Sequence, residues 1–260
     1  MPVVVSAVFT PAIAAAATLA FSRAEVNFTG FNVAPESQDG STVNEATTEA
    51  SAGLVTVESN SNAFFFNDPP SGGNFAATEA VGSGSIYQGT GLSQSQIIGR
   101  FLLPQTDSNP TFQFQFGAAL SVQSTIDQPV LETSAATGEI LFSIFAGTTP
   151  DQLTLVDFFK LTAGVNSATQ DDFLKVSSGS NIVFSKTTFE QSFGGLQESA
   201  IAVIDGTYSR NFEAGTYITL VETKTNQVNV TAVPTPSTVL ATILSGVGLL
   251  VKRRKRPPTA

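Results

Sequence analysis

The chain has no cysteine, no histidine and no tryptophan, and a single methionine in 260 residues. Without cysteine there is no disulfide framework and no thiol nucleophile. Without histidine the Ser-His-Asp and Cys-His arrangements are excluded, and transition metals lose their usual nitrogen ligand. The chemistry left in reach uses carboxylates, amides and hydroxyls. Paired Asp or Glu can run glycoside hydrolysis, and hard oxygens can hold calcium. Positive charge is also scarce, with 12 Lys and Arg against 21 Asp and Glu.

That scarcity is uneven. All the acidic residues lie between Glu25 and Glu222, whereas Arg23 and the run Lys252-Arg253-Arg254-Lys255-Arg256 take six of the 12 basic ones. The body therefore carries six positive charges against 21 negative, a net of −15. Such a surface repels nucleic acid and anionic membranes and lacks the basic stripe that either would need. It stays soluble and attracts divalent cations.

Both ends are apolar. Val3 to Phe21 carries Ala12, Ala14, Ala15, Ala16, Ala17 and Ala20, the composition of a signal peptide. Ser22-Arg23-Ala24 sets small residues where a signal peptidase reads them, so cleavage is expected after Ala24, with Ala20 as the second choice. No Lys or Arg precedes the apolar run. At the other end, Val233-Pro234-Thr235-Pro236 leads into an uncharged stretch, Ser237 to Val251, and then the five basic residues. Fifteen helical residues reach about 22 Å of the roughly 30 Å hydrocarbon core, and Thr231 to Val233 extend them toward a full span. The basic block stops transfer and places this end in the cytoplasm.

This layout of proline motif, short apolar helix and terminal basic cluster resembles the PEP-CTERM sorting signal of bacterial envelope proteins. The likeness covers about 25 residues of 260, and Thr235 stands where that family carries glutamate. The resemblance implies an exosortase-type membrane protease as processing partner and an exopolysaccharide-producing bacterium as the setting. Uncut, the same helix would serve as a membrane anchor.

Between the ends the texture is β. Strands are expected over Val26 to Val33, Leu54 to Glu58, Ala63 to Asn67, Ile97 to Leu103 and Thr111 to Ser124. Further strands are expected over Glu139 to Phe145, Leu153 to Leu161, Asp172 to Val176, Asn181 to Thr188, Ala200 to Ile204 and Thr216 to Glu222, with Gln227 to Val233 last. The clearest alternation is Phe112, Phe114 and Phe116 against Gln113, Gln115 and Gly117, one packed aromatic stripe and one wet face. Ala34 to Ala52 reads as a long polar loop, Gly82 to Ser95 as a mobile Gly/Ser stretch, and Lys224-Thr225-Asn226 as a turn. With 21 Phe to fill a core, the expectation is a signal helix over 1–24, one antiparallel, jelly-roll-like β-sandwich over 25–230, and a sorting segment with a transmembrane helix over 231–260.

Candidate sites are few. Glu132 with Glu139, or Asp171 with Asp172, are the carboxylate pairs, and no motif fixes either at a catalytic separation. For calcium the places are Asp171 and Asp172, Asp205 beside Gly206 at an expected turn, and Asp68 near Asn67. Tyr208, in an expected loop, is the candidate sugar platform. Gly82-Ser83-Gly84-Ser85 is linker composition and not a phosphate loop. The reading is an exported, non-catalytic, surface-sorted or membrane-anchored β domain. Its role is structural or adhesive in the envelope or exopolysaccharide matrix, it needs no cofactor, calcium is the one candidate ion, and it has no nucleic-acid partner. The alternatives are a sugar-binding module, with or without calcium, and a glycan hydrolase or lyase.

Overall fold

The computed structural model describes residues 18–106, 108–169 and 171–233. The residues before Thr18, the motif residues Pro234, Thr235 and Pro236, the apolar stretch 237–251 and the basic block Lys252 to Arg256 lie outside that range. The described residues form ten strands: β1 (Thr18–Thr29), β2 (Ser37–Asn67), β3 (Pro70–Leu102), β4 (Thr111–Ile126), β5 (Glu132–Gly147), β6 (Thr154–Asn166), β7 (Phe173–Ser178), β8 (Ile182–Ser192), β9 (Gln197–Asn211) and β10 (Tyr217–Ala232). All pair antiparallel in one sheet, ordered β7-β6-β5-β10-β3-β1-β4-β9-β8, with β2 along the remaining edge of β3. The sheet is nearly closed into a flattened barrel.

Strand β3 sets this shape. Its first half, Gly72 to Gly82, pairs with β1, and its second half, Tyr87 to Leu102, pairs with β10. Both neighbours occupy one edge, because β2 holds the other edge along almost the whole length. The β2–β3 ribbon folds back on itself, and β1 and β10 come face to face. The bend falls at Gly84, whose φ of 107° favours glycine, and β2 shifts register there between Ala50 and Gly53. Across the fold, Ser59 Oγ donates to the Glu45 carbonyl at 3.0 Å, Ser93 Oγ to the Asn60 carbonyl at 2.7 Å, and Ser22 Oγ to Asn226 Oδ1 at 2.7 Å. No Cβ fits at the inner side of the bend. One on Gly91 would sit 2.2 Å from Thr78 Oγ1, and one on Gly89 would sit 2.6 Å from Val55.

The alternation of Phe112, Phe114 and Phe116 is as the sequence predicts: all three are buried, and Gln113 and Gln115 are exposed. They join Phe28, Phe31, Phe101, Phe142 and Phe159 in an aromatic cluster, with edge-on contacts such as Phe28–Phe142 at 5.5 Å. Of the stretch Leu153 to Leu161, all but Leu153 is strand β6, as its β-branched and aromatic content predicts.

Four expectations are corrected. Thr18 to Ala24, expected as the end of a signal helix, belong to β1, a central strand with Ala20 and Ala24 wholly buried. Ala34 to Ala52 is largely β2, which reads as a loop because its first half is exposed on both faces and is held by main-chain pairing to β3. Gly82 to Ser95 is strand, its glycines placed by close packing. Lys224-Thr225-Asn226 is the unbroken middle of β10.

The open side of the barrel is bridged by one carboxylate. Asp157 of β6, buried, accepts from Asn181 Nδ2 at 2.8 Å, Arg210 Nη1 at 3.1 Å and Tyr208 OH at 3.3 Å, the last two from β9. β6 and β9 lie near opposite ends of the strand order, so this cluster draws the two ends of the sheet together. Asp157→Ala should lower unfolding free energy by about 2–4 kcal/mol in a urea titration, since it takes the acceptor from Asn181 and the buried Tyr208 hydroxyl, while Arg210 Nη1 keeps the Val156 carbonyl at 3.0 Å. A loss below about 0.5 kcal/mol would show that the cluster does not hold the seam.

Candidate functional site

The expected carboxylate pairs do not form. Glu132 and Glu139 sit seven residues apart on β5, an odd spacing that sends them to opposite faces of the sheet. Glu132 points inward, where its Oε2 accepts from the amides of Asp127 and Gln128 at 2.9 and 3.0 Å and ties down the connection before β5. Glu139 points outward and meets Lys160 at 2.9 Å.

The calcium candidates are scattered. Asp172 Oδ1 accepts from the Asn166 amide at 2.9 Å and closes the loop between β6 and β7, while Asp171 is exposed. Asp205 lies inside β9 opposite Gly117 and Lys186, not in a turn. The acidic neighbour of Asp172 is Glu198, seven residues and roughly 23 Å along β9 from Asp205. Asp68 lies in the turn between β2 and β3. Among the described residues no group of three or more acidic side chains is placed to share a metal ion.

Tyr208 is not a sugar platform. It is fully buried in β9, stacked on Phe114 with ring centres 5.3 Å apart, and its hydroxyl meets Asp157. Burial, then the Asp157 charge, raise its pKa well above the usual phenol value. The residue follows Asp-Gly-Thr, a turn-like sequence, yet its even-numbered position shares the inward face with Ala200, Ala202 and Ile204.

The concave surface lies elsewhere, on the outer face of β7, β6, β5, β10, β3 and the first half of β2. One groove of about 410 Å³ runs between Glu45 and Thr47 of β2, Thr90 and Leu92 of β3, Gln227 and Asn229 of β10, and Ala135 and Thr137 of β5. A second, of about 430 Å³, shares Thr137 and Gln227 with the first and continues over Glu139, Lys160, Thr162, Phe173 and Lys175. A third, of about 190 Å³, lies along β10 and β3 beside Thr223, Gln94 and Gln96. The three form a band of hydroxyls and amides across six strands. Its outward charges are Glu45 and Glu139 against Lys160 and Lys175, which cancel. Lys175 also lies over the Phe173 ring at 5.4 Å. Sequence reading missed this face because Thr, Gln and Asn on alternate strand positions look like any solvated side of a sheet.

Two outcomes follow. Tyr208→Ala should destabilise the fold by about 3–5 kcal/mol, whereas Tyr208→Phe should cost about 1 kcal/mol in the same denaturant titration; equal small effects would contradict a core role. Glu198, buried and beside Asp172, has its carboxyl raised by burial first and the Asp172 charge second. The folded state therefore holds this proton more tightly than the unfolded chain does, and stability from this group falls as pH rises above about 4.5. Glu198→Gln should flatten that fall when stability is measured from pH 4 to 7, and an unchanged slope would remove Glu198 as its source. Compared with family models, curated proteins and solved structures, the chain matches none.

Proposed function

We propose that this chain is an exported, non-catalytic domain, sorted to or anchored at the surface of a bacterial envelope, whose outer face engages neutral polysaccharide of the surrounding matrix. The observation that carries the reading is the charge pattern. On a domain of net −14, counting Arg23 of β1, this broad concave face is neutral and rich in side chains that both donate and accept hydrogen bonds. Uncharged glycan hydroxyls suit such a face, and a polyanion gains nothing from it. The face-to-face halves of the sheet act as the two layers of a sandwich, and that rigid frame holds the face open.

The alanine-rich apolar stretch before Thr18 supports export as a leader. At the other end Val233 N still donates to the Leu131 carbonyl at 3.0 Å, and the proline motif follows at once. An exosortase-type cut near Pro234 to Pro236 would spare all ten strands, and an uncut tail would leave the domain hung from the membrane by the apolar stretch 237–251.

The mass of the protein recovered from its native envelope tests delivery. The expected species lacks the apolar leader and ends near Pro234 to Pro236, or retains Lys252 to Arg256 if it is anchored; a species retaining Met1 would overturn export. Affinity electrophoresis in gels cast with neutral polysaccharides tests the face. Wild type should be retarded, and Thr137→Arg with Gln227→Ala should migrate freely with unchanged unfolding. No retardation in any neutral polysaccharide would remove the glycan role.

A further inference from the structure

The interior is not wholly apolar. On the inward face of β10, Glu222 and Lys224 are both buried, and Lys224 Nζ donates to Glu222 Oε1 at 2.5 Å. Asn74 reaches the same place from the first half of β3, across the fold, and lies beside Glu222. Neither atom of the Asn74 amide, nor Glu222 Oε2, makes a hydrogen bond of normal geometry, and Ser95 Oγ, opposite Lys224 in the register, is also without one. Four orphaned polar atoms in one interior place are costly in a native core. The nearby Asn226, by contrast, is satisfied: its Nδ2 donates to the Ala76 carbonyl at 2.8 Å and its Oδ1 accepts from Ser22.

We propose that Lys224 and Asn74 join in an intramolecular isopeptide bond, with Glu222 as the proton carrier. The arrangement has the three parts such a reaction needs: a desolvated amine, a primary amide that makes no hydrogen bond of normal geometry, and an acid in contact with the amine and beside the amide. Lys224 Nζ attacks Asn74 Cγ, and the C–N bond forms. Glu222 gives its proton to Asn74 Oδ1 and takes one from Nζ. When the tetrahedral carbon collapses, the carbonyl reforms and its proton returns through Glu222 to Nδ2, which departs as ammonia. Amine and primary amide become secondary amide and ammonia, and Glu222 ends as it began. No oxidant, metal or cofactor enters.

The surroundings favour the reactive forms. Burial pushes the Lys224 ammonium down to about 8 against the attraction of Glu222, and burial raises the Glu222 carboxyl against the attraction of Lys224. Both shifts lead toward the neutral amine and neutral acid that the attack requires. Ile140 and Phe142 on β5 and Ile97 on β3 flank the pair in register and keep water away.

The test is a peptide map of the folded full chain. The expected result is a branched peptide joining residues 74 and 224, lighter than its two linear parts by about 17 Da, the mass of ammonia. Linear peptides carrying unmodified Asn74 and Lys224 as the whole of the material would overturn the proposal. Glu222→Gln and Asn74→Ala should give linear peptides only. Asn74→Asp should restore the branch with loss of about 18 Da, water replacing ammonia as the leaving group. A branch persisting in Asn74→Ala would exclude residue 74 as the acyl partner. Where a variant fails to fold, the wild-type map alone decides.

Discussion

The close approach of the two halves of one sheet governs the rest of this structure. A ribbon of two strands, each longer than thirty residues, cannot lie flat in a domain of this size, and it doubles over at Gly84. The doubling is possible only where the inner faces carry little bulk. A Cβ on Gly82 would sit 2.1 Å from the Tyr87 ring, and one on Gly53 would sit 2.4 Å from the Ser83 carbonyl. The small residues let main chain and ring fill the bend. From that bend follow the facing of β1 on β10, the neighbouring placement of β4 and β5, and the meeting of the outer strands at Asp157.

Along the barrel the interior changes character. One end is filled with phenylalanine, where Phe28, Phe114 and Phe142 meet edge to face within 6 Å. The middle holds Ser22, Asn74, Ser95, Glu222, Lys224 and Asn226. Toward the other end lie Ser134, Glu132, and a hydrogen bond between Thr18 and Tyr87. Hydrocarbon alone would be simpler in such a core, because burying an ion pair usually gains less from attraction than it loses in desolvation. A polar layer fixes register instead: slipping β10 by one residue would turn Glu222 and Lys224 out to solvent and bring Val221 and Thr223 inward.

The legible parts of the sequence were those where period and hydrophobicity agree. Phe112 to Phe116 announced a strand and its inner face, and the length and sharpness of the alternation left no competing element. The Ser/Thr/Glu-rich segment from Ala34 was opaque because an edge strand wet on both sides has no apolar signal, and its partner is thirty residues or more away. The interruption at Lys224 misled for the opposite reason. Two charges and an amide in an apolar run look like a turn unless the charges are buried against each other, and the strands that enclose Glu222 and Lys224 are distant in the sequence. Tyr208 was misplaced by its turn-like neighbours, since Gly206 serves contact with the Phe116 ring rather than chain reversal. The outer groove could not be read at all: its residues come from six strands and become neighbours only when the sheet forms.

β10 connects these features. It is hydrogen-bonded on both edges, to β3 and to β5, over sixteen residues each, and it runs directly into the proline motif. Any tension applied at Val233, the last described residue, enters the domain along this strand. Two flanking ladders loaded in shear resist together, because their hydrogen bonds lie across the strand and must yield collectively. The inward face of the same strand holds Lys224 and Glu222, and the outward face supplies Thr223, Thr225, Gln227 and Asn229 to the groove. A domain without cysteine has no disulfide with which to tie its last strand to its first half. A bond from Lys224 to Asn74 supplies that tie from ordinary side chains, on the strand that the groove and the core share.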